Sequence, residues 1–123
     1  DANTKYYVRA YATNEKGTAY GEIQTFTTNE APQPPVVKTG DVSEISCASA
    51  VVAGEIVKLG VDEGVTQYGH VWSLSSAPTT SDFKTEKGKS SDTSIYNSAL
   101  NDLLPNRTYY VRAYAENNLV TAY

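Results

Sequence analysis

The sequence is poor in the residues from which most chemical sites are built. It holds a single cysteine, Cys47, so an intrachain disulfide is impossible and a CxxC metal or redox motif is excluded. Oxidising compartments remain open to it. Cys47 lies in the apolar run Ile45 to Val52 and reads as a small, partly buried side chain rather than a reactive thiol. The single histidine, His70, leaves no second imidazole for zinc and few options for a base held by an orienting partner. Flanked by Gly69 and Val71 within a strand pattern, it reads as a structural histidine under or at the rim of a sheet. No catalytic residue, cofactor-binding residue or metal ligand is therefore assigned, and no cofactor is expected.

Positive charge is also scarce. Ten Lys and Arg stand against fourteen Asp and Glu, for a net charge of −4, and no periodic face gathers the basic residues. Nucleic-acid binders need a positive footprint to displace counterions, and anionic membranes attract basic segments, so both partners are disfavoured. No apolar run approaches the roughly 18 residues that cross a bilayer. Asp1 to Lys5 read as neither a signal nor a transit peptide, so any export signal or anchor is expected outside these residues. The acidic turn Asp62, Glu63, Gly64 and the early Asp41 and Glu44 follow no EF-hand spacing and read as solvated loops. Asn106, Arg107 and Thr108 form a glycosylation sequon, which matters only in a eukaryotic source.

What the chain does contain is a copy of itself. Residues 3–20 read NTKYYVRAYATNEKGTAY and residues 106–123 read NRTYYVRAYAENNLVTAY, with twelve of eighteen positions identical and no gap. The offset of 103 residues, which carries Tyr6 onto Tyr109, is one sandwich domain plus a short linker. Between the copies, residues 29–35 read NEAPQPP, and prolines at 32, 34 and 35 favour an extended, semi-rigid segment. This is expected to be an interdomain spacer, although Pro32 and Pro35 also satisfy PxxP. Residues 1–28 are thus expected to hold the last two strands of one module, and residues 36–123 a second module lacking most of its final strand.

Helical periodicity is absent. Short segments rich in Val, Ile, Thr and Tyr alternate with Gly, Asn, Asp and Pro, which predicts an all-β, antiparallel β-sandwich. Strands are predicted at Val36 to Lys38, Ala48 to Val57, Thr66 to Leu74, Phe83 to Glu86, Thr93 to Leu100 and Thr108 to Glu116. By period 2, Ala50, Val52, Gly54 and Ile56 share a face, as do Tyr68, His70 and Trp72. Val111, Ala113 and Ala115 are expected to face the core with Trp72, Tyr109, Leu100 and Leu103, leaving Tyr110, Arg112 and Tyr114 outside. Pro105 restricts the approach to Tyr109, whose ring can enter the core while its hydroxyl bonds back to the corner backbone; Tyr6 is its counterpart.

Residues 103–113 read LLPNRTYYVRA, which resembles the L-x-P-x-T-x-Y-x-V signature entering the penultimate strand of fibronectin type III domains. With Tyr68 to Ser73, the chain is similar to the divergent fibronectin-like repeats of large bacterial surface and secreted proteins. The resemblance covers everything but the linker. It departs at Arg107, where Thr is usual and Thr4 stands in the first copy; at Gly54, where animal domains bury Trp; and at His70, where the bacterial repeats carry an aliphatic residue.

The resemblance implies an extracellular or cell-surface protein, bacterial in origin, in which this is a non-catalytic structural spacer linked to neighbouring modules. The alternative is recognition of a polysaccharide or protein. Its face would be Tyr110, Arg112 and Tyr114 with the repeated Tyr7, Arg9 and Tyr11, or the loop from Glu116 to Leu119, because tyrosine with arginine is a composition that interfaces favour. The same stripe also serves as a structural ladder with cation–π contacts. A further expectation follows from the repeat: Gly21 to Thr28 is a spare copy of the strand the second module lacks, so strand exchange between copies is expected.

Overall fold

The computed structural model describes residues 1–61 and 63–123; Asp62, part of the acidic turn noted above, lies outside the described residues. The chain divides into two compact units, Asp1–Ala31 and Pro32–Tyr123. The described residues contain strands and turns but no helix, and all the strand pairs are antiparallel.

The first unit is a long hairpin interrupted once on each arm. Strands β1 (Lys5–Val8) and β2 (Tyr11–Asn14) run outward, and β3 (Gly17–Tyr20) and β4 (Gln24–Thr27) return. At the tip Asn14 pairs with Gly17, and the Asn14 Oδ1 accepts the Lys16 N–H at 2.8 Å. An asparagine that bonds the backbone two residues on closes a tight turn in this way. Across the interruption, the Gly21 N–H donates to the Ala10 carbonyl at 2.8 Å, so the two halves of the ladder remain linked.

The second unit contains a three-stranded and a four-stranded sheet. The first is β5 (Val36–Ser43), β6 (Ala50–Lys58) and β9 (Ile95–Leu100), in that spatial order. The second runs β11 (Thr121–Ala122), β10 (Tyr110–Glu116), β7 (Gln67–Ser73) and β8 (Phe83–Lys84). Along β6, Ala50, Val52, Gly54 and Ile56 are buried and alternate with more exposed neighbours, the period that places one face of a strand against a core.

Each of two core clusters draws on both sheets. Ile56 and Tyr96 meet Ala113 and Ala115 in one, with Val65; Val52 and Leu100 meet Trp72 in the other, flanked by Leu103, Tyr109 and Val111. The sheets therefore face one another across a common apolar layer, an arrangement consistent with a β-sandwich. Burial of each large aliphatic side chain there contributes about 1.5 to 3 kcal/mol. Of the core positions expected from the sequence, Trp72 and Leu100 are buried, while Leu103, Tyr109 and Val111 are half-buried and pack against them.

Strand β5 is longer than the three residues predicted from 36 to 38. It continues to Ser43 through irregularities that include one between Thr39 and Val42, where Gly40 crosses so near β6 that a Cβ would lie 2.9 Å from the Ala53 Cβ. A bulge of this kind redirects side chains. Here it brings the Thr39 hydroxyl to the Ala113 N–H at 2.8 Å, so β5 also contacts the opposite sheet. Cys47 is exposed rather than partly buried. The Ser46 Oγ accepts the N–H groups of Ala48 and Ser49 at 3.2 and 2.9 Å, which turns the segment away from the core before β6 begins.

Gly54 explains how the core closes around His70. A Cβ at Gly54 would lie 2.7 Å from Cζ of Tyr96 and 2.8 Å from Nε2 of His70. Two rings, one from each sheet, thus occupy the volume that a side chain at residue 54 would need. Replacing Gly54 by Ala is expected to destabilise the second unit by about 1 to 3 kcal/mol, the usual cost of overpacking a filled site. Urea denaturation followed by Trp72 fluorescence measures this; an unchanged midpoint would show that the rings move aside freely.

Candidate functional site

The corner before β10 is built as the sequence predicts. The Tyr109 hydroxyl accepts the Leu104 N–H at 3.0 Å while its ring packs beside Val52 and Trp72. In the first unit the Tyr6 hydroxyl accepts from the terminal ammonium of Asp1 at 2.6 Å, at the position that the repeat offset carries onto Leu104. Asn3 and Asn106, which also correspond, both adopt positive φ, at 48° and 58°. Asparagine tolerates that conformation better than most residues, which accounts for its place in both corners.

The proposed interaction stripe separates into three kinds of residue. Tyr7 and Tyr11 are 68% and 72% exposed, and Tyr110 is also exposed. Arg112 is half-buried: its guanidinium carbon sits 3.9 Å from the centroid of the Tyr123 ring, and its Nε donates to the Pro78 carbonyl at 2.6 Å. Arg9 lies 3.9 Å from the ring of Tyr20, the counterpart of Tyr123. The two units therefore repeat the same cation–π contact at the same distance. The sequence reading missed these tyrosines as partners, although both close the repeated segment; only the pairing of Tyr11 with Tyr20 places that ring beside the stripe.

Tyr114 corrects the expected outward stripe, for it is only 1% exposed. The chain beyond β8 continues alongside β7, the Thr85 and Lys87 N–H groups donating to the His70 and Tyr68 carbonyls; a Cβ on Gly69 would run into the Thr85 carbonyl, and the Tyr114 hydroxyl donates to that same carbonyl at 2.8 Å. Burial, with Glu86, Glu116 and Tyr123 nearby, pushes its pKa up to about 12, so the hydroxyl remains a donor at neutral pH. The loop after β10 is likewise engaged. Asn117 is buried, its Oδ1 accepting the Leu119 and Val120 N–H groups and its Nδ2 donating to the Gln33 carbonyl at 2.9 Å.

His70 is the most enclosed polar group. It lies in β7 with no exposed surface, and its Nε2 is 3.0 Å from the Ala53 carbonyl while Nδ1 is 2.8 Å from the Ser98 Oγ. A carbonyl only accepts, so Nε2 carries the proton and Nδ1 accepts from Ser98. Ser98 Oγ lies 2.9 Å from Thr85 Oγ1, which in turn accepts the His70 N–H at 3.0 Å. The ring of polar groups is complete with a neutral imidazole, and Tyr96 packs beside it at 5.1 Å between centroids. The residue is a satisfied core group, as its strand position predicts.

No protein-family model and no curated protein matches this chain.

Two measurements test this geometry. Burial holds the His70 pKa below its ordinary value of 6.5, against the raising influence of the Ala53 carbonyl and with help from Lys87. The unfolded chain therefore takes up the proton first as pH falls. Stability from this group is complete above about pH 6.5 and is lost below it, by at most about 1.4 kcal/mol per pH unit. Urea midpoints that stay level from about pH 7.5 down to 5.5 would contradict this. In a double-mutant cycle, Arg112→Ala and Tyr123→Ala are expected to couple by about 0.5 to 1 kcal/mol; additive losses would mean that the stacking contributes nothing.

Proposed function

We propose that this chain is a non-catalytic spacer from a tandem array of fibronectin type III-like modules in a secreted or cell-surface protein, bacterial in origin. The observation that carries the reading is the recurrence, at one fixed offset, of both the corner hydrogen bond and the arginine–tyrosine stack. Side chains that a recognition surface would leave free are used in both copies to brace the hairpin. The three-stranded sheet facing a four-stranded one, with the tyrosine at its corner, fits the fibronectin resemblance.

The linker supports the same reading. The Gln33 N–H donates to the Gly60 carbonyl at 2.7 Å, and Gln33 O in turn accepts from Asn117. Gly60 has φ of 81°, and a Cβ there would collide with the Gln33 carbonyl, so glycine is required at this seat on two counts. Proline restricts the backbone on either side of Gln33, and the hydrogen bonds fix it to the module that follows. Such a connection transmits orientation and force better than a flexible one.

The exposure of Tyr7, Tyr11 and Tyr110 favours recognition of a polysaccharide or protein as the second reading. The spacer reading expects no saturable binding of the immobilised chain to polysaccharide or protein panels, and one cooperative unfolding step per module when a concatenated array is stretched. Saturable binding that disappears in the Tyr7→Ser, Tyr11→Ser, Tyr110→Ser triple variant, with thermal unfolding unchanged, would replace the spacer by the recognition module.

A further inference from the structure

One margin of the second unit is formed by interior segments of the chain, where β9 ends one sheet and β8 the other. The two edges differ in kind. β8 and its continuation carry Lys84, Glu86 and Lys87, charges of the sort that keep strand edges from pairing. Residues 93–101, TSIYNSALN, hold neither a charge nor a proline, so β9 lacks that protection. Its register shows which groups are open. Bonded and unbonded pairs alternate along an antiparallel ladder, and the Ile56 N–H donates to the Ser94 carbonyl at 2.9 Å. Tyr96, Ser98 and Leu100 therefore bond β6, while Ile95, Asn97 and Ala99 turn their N–H and carbonyl groups outward. No strand lies on that side among the described residues.

Between the two edges the sheets part in a cleft of about 660 Å³, with Trp72, Phe83 and Leu103 in its lining and Lys84, Asn101 and Asp102 around it. Phe83 is 67% exposed and stacks on Trp72 at 6.0 Å between centroids. The free charge at the cleft is negative. Lys84 is paired with Glu86 at 3.0 Å, the one ion pair among the described residues, whereas Asp102 is exposed with no cation in reach. A strand laid along β9 would alternate its side chains across the sheet, so those opposite Ser98 and Leu100 would point inward, toward the cleft. Edge and cleft thus suit one extended segment. A second copy of β9 suits them poorly: antiparallel pairing overlaps most when centred on Asn97, which sets Asp92 against Asp102 of the other copy at both ends, in a chain of net charge −4.

We propose that the open edge of β9 binds an extended peptide segment of another protein by strand addition, with a bulky apolar side chain against Phe83 in the cleft and a Lys or Arg beside Asp102. Main-chain bonds to Ile95, Asn97 and Ala99 hold the segment, and the cleft selects it. The site uses none of the tyrosines weighed above. It admits an unfolded segment rather than a folded surface, so binding here would persist when Tyr7, Tyr11 and Tyr110 are all replaced by Ser.

The probe is the blocked peptide KTFTVTTK, which set antiparallel to β9 places its phenylalanine opposite Leu100 and its first lysine opposite Asp102. Titrated into the 123-residue chain, it is expected to change Trp72 fluorescence saturably and to protect the Ile95, Asn97 and Ala99 amides from hydrogen exchange. Asn97→Pro removes one outward N–H that β6 does not use, and should weaken binding about tenfold while the urea midpoint reports folding. The same peptide N-methylated on its second and third threonines makes that test on the intact chain, and should not bind. Serine in place of the peptide's phenylalanine should weaken binding severalfold, as should Asp102→Asn at low salt. The proposal is overturned if the intact chain shows no saturable change up to about 1 mM peptide, if the N-methylated peptide binds as tightly, or if the protected amides lie elsewhere. Dimerisation of the chain that Asn97→Pro abolishes also overturns it, because the edge would then belong to a second copy.

Discussion

The core of the second unit depends on a missing side chain. At Gly54 the backbone of β6 is bare, and two rings converge on it: Tyr96 from the neighbouring strand β9 and His70 from the facing sheet. Tyr96 sends its hydroxyl across to the Gly69 carbonyl at 2.8 Å, and His70 reaches the other way to Ala53. The two sheets are therefore joined by hydrogen bonds that run in opposite directions through one small volume. An apolar layer alone fixes neither the separation nor the lateral register of two sheets, because the hydrophobic effect has no direction. Directed bonds between buried groups supply that specification, provided every member is satisfied.

The same site shows why polarity is tolerated at the centre of the structure. An imidazole buried beside Tyr96 and the bare backbone of Gly54 would be costly if either nitrogen were unpaired. Ser98 and Thr85 remove that cost with two hydroxyls, whose rotatable protons adapt to the tautomer that the Ala53 carbonyl imposes. Among the described residues no buried side-chain nitrogen or oxygen lacks a partner. Thr85 also bonds the backbone of β7, so the segment beyond β8 is tied to the core network.

Much of this was legible in the sequence, and the legible parts share a cause. Strand periodicity, the Tyr109 corner and the face shared by Ala50, Val52, Gly54 and Ile56 are local properties, set by a few consecutive residues. His70 was placed correctly because a lone histidine in a strand has few alternatives. The errors lie where distant segments meet. Tyr114 alternates as an outward residue should, yet the chain near Thr85 covers it, and nothing in residues 108–116 announces that cover. Cys47 is a local exception: it sits in an apolar run, but the neighbouring Ser46 hydroxyl sets a turn there. The partners of Arg9 and Arg112 were invisible for a similar reason: each contact joins a strand to the far end of its hairpin.

The anchoring of Gln33 would bear on the mechanics of the array proposed above. The Asn29 carbonyl accepts from Asn3 in the first unit, and the Gln33 N–H belongs to the second, so the chain linking these two anchors is Glu30, Ala31 and Pro32. Curvature of a chain of such modules would then be governed by a few backbone torsions at each junction, one of them locked by the proline ring. Persistence length in that case would be set by the stiffness of each junction and the spacing of the modules rather than by a flexible linker. In the array proposed above, an insertion beside Ala31 would soften the junction far more than the same insertion in a surface loop.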